Sequence, residues 1–205
     1  MPVDLKALLD PESCAVVTSE CQNGVIGDQS VLPQLAAAAR VAVIPNGARV
    51  CAAARAAAVP VVHCIALHRP DGLGANHNAR LFGAVARSPV KLVPGTPAAE
   101  VIAEFEQADS DLVLSRLHGL NPMAGTDLDP VLRNLGVTTI VPIGVSVNVA
   151  ITNLVMDAVN NGYQVVLPRD AVTGVPPEYG DSLIANTLSL LATITTTDEL
   201  VAHWG

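Results

Sequence analysis

Two charged residues in this sequence stand where acid, base or anion-binding chemistry is possible. Glu20, in the segment SECQNGV, follows the apolar run 14–19, and a carboxylate there can act as a general base or acid. Arg116, in LVLSRLHGL, follows the apolar run 111–115, and its guanidinium can pair with Glu20 or hold a carboxylate by two parallel hydrogen bonds. From position alone, a capping or surface charge at Glu20 and a structural ion pair at Arg116 stay open as alternatives.

A glycine-led turn is the third candidate. Residues 144–150 read GVSVNVA and lead from an apolar run into a helical pattern. Glycine permits unusual backbone conformations, and the first turn of a helix presents N–H groups that can stabilise negative charge. We therefore expect Val145, Ser146 and Asn148 to contact a substrate, with an ordinary strand-to-helix turn as the alternative.

The remaining reactive side chains form no familiar motif. The histidines make no HxH or HExxH pattern, so we predict no metal, although His118 is close enough to Arg116 in sequence to line the same pocket. Neither a GxGxxG nor a GxxxxGK[ST] sequence is present, and we predict no cofactor. Cys21 and Cys64 are each either a reactive thiol or an inert buried residue.

The elements that must position these residues follow from the hydrophobic pattern. Short apolar runs alternate with helical stretches, which predicts an α/β fold with a mainly parallel sheet and helices on both faces. In such sheets ligands bind beyond the carboxyl ends of the strands, where Glu20 and Arg116 stand. The predicted strands are 14–19, 59–67, 111–115, 137–143 (ended by Pro142), 163–167 and 193–195, followed by a terminal turn. The predicted helices are 32–58 (divided at Pro45), 97–107, 128–135, 149–161 and 178–192, and residues 69–95 are expected to be irregular.

Composition limits the class of protein. Of 205 residues half are hydrophobic and 15% are charged, so the chain can build one large core, and we expect a single domain over residues 1–205. With 11 basic and 19 acidic residues the net charge is −8, which argues against nucleic acid or an anionic membrane as partner. The absence of a leader pattern, of an apolar run near ~18 residues and of a disulfide framework predicts a cytoplasmic protein. The apolar composition also fits a homo-oligomer.

Three longer segments resemble the isochorismatase-like superfamily, which includes nicotinamidases, carbamoylsarcosine amidohydrolases and isochorismatases. They read VTSECQNGV, LVLSRLHGLNPMAGTDLDPVLRNLGV and GVSVNVAITNLVMDAV, and the resemblance extends from residue 14 to about residue 197. It implies a three-layer sandwich around a six-stranded, mainly parallel sheet, in a dimer or tetramer. It also implies a non-proline cis peptide bond between Val145 and Ser146.

The resemblance places Glu20 at the family's aspartate, Arg116 at its lysine and Ala150 at its nucleophilic cysteine. Without a thiol at Ala150 no thioester can form there. Isochorismatases resemble this chain in lacking that cysteine, and they cleave a vinyl ether by acid chemistry. The Asp and two His metal ligands of nicotinamidases are not reproduced in this sequence.

Three hypotheses follow. In the first, the chain is a hydrolase of a small molecule in which Glu20 is the acid or base and Arg116 positions it or binds an anionic group. In the second, it is an inactive relative that binds a small ligand or a protein partner. In the third, Cys21 or Cys64 is a relocated nucleophile.

Overall fold

The computed structural model describes residues 4–30 and 32–205, in which a seven-stranded parallel sheet forms the centre. The strand order is β3-β2-β1-β4-β5-β7, and the short β6 lies beside the end of β4. The strands are β1 (Cys14–Ser19), β2 (Val61–Ala66), β3 (Leu112–Arg116), β4 (Thr139–Val145), β5 (Gln164–Pro168), β6 (Val172–Thr173) and β7 (Thr193–Thr195). This confirms the predicted α/β fold with a mainly parallel sheet; the two-residue β6 was not predicted.

Helices cover both faces of the sheet. They are α1 (Leu5–Leu8), α2 (Pro33–Val41), α3 (Val43–Ala56), α4 (Arg80–Arg87), α5 (Leu128–Asn134), α6 (Thr152–Asn160), α7 (Pro177–Asn186) and α8 (Thr197–Trp204). One hydrophobic cluster joins one face of the sheet to α2, α3 and α8, and a second joins the other face to α5, α6 and α7.

The central strand β1 shows why the layers form. All six of its residues are buried. Cys14 and Val16 belong to one cluster, and Ala15 and Val17 belong to the other. Successive side chains on a strand point to opposite faces, so an uninterrupted apolar run supplies both cores at once.

Two helix predictions were wrong in detail. The predicted break at Pro45 lies instead at Ala42, because Pro45 is in the first turn of α3, where the missing N–H has no helical partner to lose. Residues 97–107 do not form a helix. They form two 3₁₀ turns, Pro97–Ala99 and Ala103–Phe105, separated by an extended Val101 that bridges to the loop after β1.

Two strand predictions also needed correction. Pro142 lies inside β4 and not at its end. On a strand the N–H groups of residues 142 and 144 point to the same side, and the N–H of Gly144 donates to Ala171 beside β6. On that side the neighbour of β4 changes from β5 to β6, so the N–H that Pro142 lacks falls where the pairing changes. The third strand is an exposed edge and not a buried strand, and Arg116 is its last residue rather than the residue after it.

Smaller differences lie outside the centre of the sheet. The segment 69–95, expected to be irregular, contains α4. The helix predicted over 178–192 ends at Asn186 and is followed by a 3₁₀ turn, and the predicted terminal turn is the helix α8. Among the described residues no helix is long and apolar enough to cross a membrane. The prediction that the sequence has no leader pattern rests partly on residues 1–3, which lie outside the described residues.

Candidate active site

The carboxyl ends of β1, β2 and β3 bring Glu20 and Arg116 together. The N–H of Glu20 donates to the carbonyl of Cys64 on β2 (2.9 Å), and Arg116 is in register with Ala66 on the same strand. Because β2 lies between β1 and β3, the two backbones are about 10 Å apart. A glutamate and an arginine are long enough to meet across β2, and Nη2 of Arg116 donates to Oε1 of Glu20.

The two partners differ in their access to solvent. The Arg116 side chain is 5% exposed and that of Glu20 is 21% exposed. The guanidinium is therefore fixed inside the protein, and the carboxylate reaches the surface at the carboxyl ends of the strands. We call this place the opening of the site. Glu20 also has a φ of +54°, in the left-handed region that non-glycine residues seldom adopt, as is common for residues at functional sites.

Arg116 has hydrogen-bonding capacity that the described residues do not use. Its Nε and Nη1 atoms are buried, and no described residue accepts a hydrogen bond from either. A buried charged donor without an acceptor is unfavourable, because its bonds to water are lost and not replaced. The site thus contains a cation whose Nε and Nη1 have no acceptor in the part of the chain that the structure describes.

Gln22, which the sequence analysis did not single out, holds the loop that carries Glu20. Its buried side chain donates to the carbonyls of Ala66 (3.0 Å) and Ala99 (3.1 Å) and accepts from the Ala66 N–H (2.8 Å). These bonds join the end of β2 to the segment that contains the two 3₁₀ turns. Only the burial of a polar side chain reveals this role, and no sequence spacing signals it.

Gly144 brings the end of β4 against the end of β1. It has a φ of +109°, and a Cβ at this position would lie 2.4 Å from the carbonyl oxygen of Ser19. Ser19 in turn donates from Oγ to the carbonyl of Val145 (2.9 Å). The Val145–Ser146 peptide bond is cis, as the resemblance implied.

The turn after β4 continues into a single π-type turn, Val147–Ile151, which leads into α6. Within this turn the N–H of Ile151 donates to the carbonyl of Ser146 (3.1 Å). Ala150 is a buried residue of the same turn. Asn148 donates from Nδ2 to the carbonyl of Val175 (3.3 Å), while its Oδ1 is buried without a hydrogen-bond donor among the described residues.

The structure thus brings Glu20 and Arg116 into direct contact and places the turn of residues 144–146 beside Ser19. The other two candidates contact different segments. Asn148 faces the segment after β6, and His118 is exposed with its ring near Gly125. Contact of Asn148 or His118 with a substrate stays a prediction.

The four cysteines are buried and make no disulfide. Burial raises the pKa of Cys64 to about 12, although the nearby Arg116 acts in the opposite direction. Burial also raises the pKa of Cys21 well above its ordinary value, and Cys51 and Glu20 add to the effect. Both thiols are therefore protonated at neutral pH, which is the unreactive form.

A second buried polar network lies under β2, away from the opening. Asp111 accepts from Arg55 (Nη2, 2.7 Å) and from the N–H of Ala108 (2.9 Å), and lies 3.3 Å from Nε2 of His63. The other ring nitrogen of His63 is 2.9 Å from the hydroxyl of Thr18 on β1. Burial would raise the pKa of Asp111, but the hydrogen bonds from Arg55, Ala108 and His63 together hold it below its ordinary value. Among the described residues no group of three or more His, Cys, Asp or Glu side chains could hold a metal ion.

Known proteins resemble this chain in sequence and in fold. A sequence model of the Isochorismatase domain matches residues 14–199. An uncharacterised isochorismatase family protein of Escherichia coli O157:H7, YecD, is 29% identical over 121 residues, which are 57% of this chain and 61% of that protein. The match therefore spans less than two thirds of that relative.

Two solved structures share the fold over nearly their full length. A cysteine hydrolase from Pseudomonas syringae pv. phaseolicola superimposes with a TM-score of 0.80 at 24% identity, covering 100% of this chain and 95% of the other. An isochorismatase family protein from Desulfovibrio vulgaris superimposes with a TM-score of 0.79 at 26% identity, covering 93% and 98%.

Proposed function

This chain belongs to the isochorismatase family of hydrolases, and on that basis we propose that it hydrolyses a small molecule without a cysteine nucleophile. Glu20 is the acid and base, and Arg116 holds it in place. The observation that carries the proposal is the ion pair between a buried guanidinium and a carboxylate at the opening of the site. Ala150 occupies the position of the family's nucleophile, where it offers no atom for covalent catalysis.

Glu20 can carry the proton through both halves of a hydrolysis. Water bonds to the carbonyl carbon of a small amide while one of its protons passes to the carboxylate. The carbon–nitrogen bond then breaks, and Glu20 returns that proton to the leaving nitrogen. With an enol ether as substrate, a protonated Glu20 would instead donate its proton to the double-bond carbon. Water would then add to the resulting cation and return a proton to Glu20, and the hemiketal so formed would break into a ketone and an alcohol.

We propose that backbone N–H groups of residues 145–150 stabilise the negative charge that develops on the substrate oxygen. The turn supports this role because Gly144 and Ser19 fix it beside β1, next to Glu20. Fixed donors aimed at a developing charge stabilise it without reorganising. Asn148 and His118 are proposed as further substrate contacts.

The relocated-cysteine hypothesis has less physical support. A nucleophilic thiol must ionise and reach the substrate, and burial opposes both at Cys21 and Cys64. The inactive-relative hypothesis rests on the replacement of all three catalytic residue types, and turnover measurements decide between it and our proposal.

The test is turnover of a panel of small amides, ureides and isochorismate, with release of ammonia or pyruvate as the readout. Wild type is compared with Glu20→Gln and with Glu12→Gln, an exposed residue before the start of β1. Release by wild type and Glu12→Gln that Glu20→Gln abolishes supports the proposal. Full activity in Glu20→Gln contradicts it, and no release from any compound favours the inactive relative.

We also propose that the working form is a cytoplasmic homo-oligomer, a dimer or tetramer. Exposed apolar side chains support this assembly, among them Val41, Leu73 and Leu190. Light scattering coupled to size exclusion gives the mass in solution, and a monomer at micromolar concentration would contradict the proposal.

A further inference from the structure

We infer that two copies of this chain join their sheets through β3, the exposed edge strand, paired antiparallel across a two-fold axis at Leu114. The inference rests on the homo-oligomer proposed above, for which it names the surface, and it does not depend on the proposed hydrolysis. In this assembly the charged segments at the two ends of β3 meet segments of opposite charge on the second copy.

The outer edge of β3 has backbone groups that no described strand uses. β3 is last in the strand order and pairs only with β2. The carbonyl of Arg116 accepts from the N–H of Leu67, just beyond the end of β2 (2.9 Å), so Arg116 and every second residue before it direct their backbone groups towards β2. The N–H and C=O groups of Val113 and Ser115 therefore point away from the sheet, where a further strand can pair with them.

The side chains of this edge do not protect it from another strand. Natural edge strands are often guarded by lysine, by proline or by a bulge, and β3 reads LVLSR in an unbroken register with β2. Leu112 and Val113 are 37% and 41% exposed, and Arg116, the one charged residue of the strand, is buried. The edge is therefore both uncharged and open to pairing.

The charges on either side of β3 favour another copy of this chain as the partner. An acidic segment, residues 104–109, contains three acidic residues and no basic one. A basic segment, residues 80–91, contains three basic residues and no acidic one, in a chain whose net charge is −8. All six charged side chains are exposed, and none makes an ion pair within the described part of the chain. The six are Glu104, Glu106, Asp109, Arg80, Arg87 and Lys91.

The two segments lie at opposite ends of β3. The carboxylate of Asp111, directly before β3, accepts from the N–H of Ala108 (2.9 Å), so the acidic segment ends at the start of the strand. The N–H of His68, next to the residue that is bonded to the end of β3, donates to the carbonyl of Leu92 (2.8 Å), so the basic segment ends beside the finish of the strand. An antiparallel pair brings the start of one strand to the finish of the other. Each acidic segment then meets the basic segment of the second copy, whereas a parallel pair would bring like charges together.

The basic segment also lacks a cover within its own chain. The helix α4 forms most of it, none of the helix residues is buried, and no described helix or strand packs extensively on it. A helix this short is marginal in water unless other groups pack on it. A second copy joined at β3 supplies such a surface.

The length of β3 sets the register of the pair. Only residues whose backbone groups point outward can exchange hydrogen bonds, so Val113 must lie opposite Ser115 for all five residues of the strand to be paired. Leu114 then lies opposite Leu114 of the second copy, with the two Cα atoms about 4.5 Å apart. Leu112 lies four residues, or roughly 14 Å along the strand, from its own counterpart.

Cysteine cross-linking tests this register. Leu114→Cys should give a disulfide-linked dimer under mild oxidation, because a disulfide spans Cα separations of about 4.4–6.8 Å. Leu112→Cys, on the same face of the same strand, is the matched control and should stay a single chain on a non-reducing gel. The four native cysteines are buried and should add no cross-link. No cross-link in Leu114→Cys, or equal cross-linking in the two variants, overturns the inference.

Light scattering coupled to size exclusion tests the surface. Wild type should have at least twice the chain mass of 21.1 kDa. Val113→Lys puts a charge on the edge and should halve the measured mass, whereas Met156→Lys, at a residue of α6 that is 40% exposed, should leave the mass unchanged. Tryptophan fluorescence in urea establishes that each variant is folded. A wild-type mass that Val113→Lys does not lower overturns the inference while leaving the oligomer itself in place.

Charge reversal tests the choice of partner. Lysine at all three acidic positions, or glutamate at all three basic positions, brings like charges together and should halve the mass of either variant. A mixture of the two variants restores opposite charges at both contacts and should recover the wild-type mass. A mixture that stays at half mass overturns the inference, as does a monomeric wild type that sediments with phosphatidylserine vesicles, which would assign the basic segment to an anionic membrane.

Assembly and hydrolysis fail separately in these experiments. Glu20→Gln leaves β3 and both charged segments unchanged, so it should keep the wild-type mass whatever its turnover. Loss of assembly in this variant would contradict the independence of the two and overturn the assignment to β3.

Discussion

The buried Arg55–Asp111 pair, which makes two hydrogen bonds, should contribute far more to stability than the exposed Arg49–Asp198 pair, which makes one. Nη2 of Arg55 is 2.7 Å from Asp111, and Nη2 of Arg49 is 2.5 Å from Asp198. The Asp111 side chain is 1% exposed and that of Arg55 18%, whereas Asp198 and Arg49 are 81% and 50% exposed. Asp111→Asn and Asp198→Asn make the same chemical change in these two environments.

The expected magnitudes follow from burial. Removing one charge of a buried pair typically costs about 3–5 kcal/mol, because the partner charge stays buried without compensation. Arg55 can regain some hydration, so we expect about 3 kcal/mol for Asp111→Asn. Exposed pairs contribute roughly 0.2–1 kcal/mol, and we expect about 0.5 kcal/mol for Asp198→Asn.

Urea unfolding followed by the fluorescence of Trp204 measures both values. Trp204 is the single tryptophan, it is buried, and its indole N–H donates to the carbonyl of Leu9 (2.9 Å). Because the folded-state pKa of Asp111 is lowered, its contribution is present above the unfolded pKa, about 3.9, and is lost as pH falls further. A loss below about 1 kcal/mol for Asp111→Asn at neutral pH, or losses equal in the two variants, would refute the reasoning.

Four other predictions concern the site and its supports. Gly144→Ala should lower the free energy of unfolding by about 3 kcal/mol or more, because it strains the backbone and crowds Ser19. The control is Gly162→Ala, where φ is also positive but the space is open, and it should cost only about 1 kcal/mol. Similar losses in the two variants would exclude crowding as the cause. Gln22→Ala should cost at least about 2 kcal/mol in urea unfolding, because it leaves buried backbone groups unpaired, and an unchanged midpoint would contradict this. Burial lowers the pKa of His63, so the unfolded chain binds a proton there more readily than the folded protein does. The free energy of unfolding should therefore fall as pH drops below about 6.5, and it should fall less steeply with pH in His63→Gln. Equal pH slopes in the two proteins would contradict this role of His63. Iodoacetamide should leave the four buried cysteines of the native protein unmodified at neutral pH, and rapid alkylation of one with loss of turnover would instead support a relocated nucleophile.

The sheet and the pairing of charges could be predicted from the sequence because both follow from simple periodicities. The apolar run of β1 predicts a strand without help from its neighbours, and the predicted end at Ser19 is the observed one. The rule that parallel strands end at one edge then brought Glu20 and Arg116 to the same opening. Their contact across β2 required only side chains of sufficient length.

Features that depend on tertiary contacts could not be predicted. The segment 97–107 has helical composition, but its backbone is held by the bridge between Val101 and Gln22, so tertiary bonds override local propensity. Pro142 is tolerated inside β4 only because the neighbouring strand changes at that point. The exposure of β3 follows from its position at the edge of the sheet, which an apolar run of five residues does not reveal.

The unpaired donors of Arg116 belong to the same class of feature. The sequence predicted a guanidinium near Glu20, and it left the choice between an ion pair and an anion-binding group open. The described residues form the ion pair and offer no acceptor to the buried Nε and Nη1 atoms.

The most direct test of the central claim is kcat/KM of Glu20→Gln on the best substrate of the panel, measured beside wild type and Glu12→Gln. The urea midpoint from Trp204 fluorescence establishes that each variant is folded. If Glu20 carries the proton and no thiol takes part, kcat/KM should fall by about 10²–10⁴ in Glu20→Gln and stay unchanged in Glu12→Gln. A folded Glu20→Gln protein that retains the wild-type kcat/KM would contradict the account.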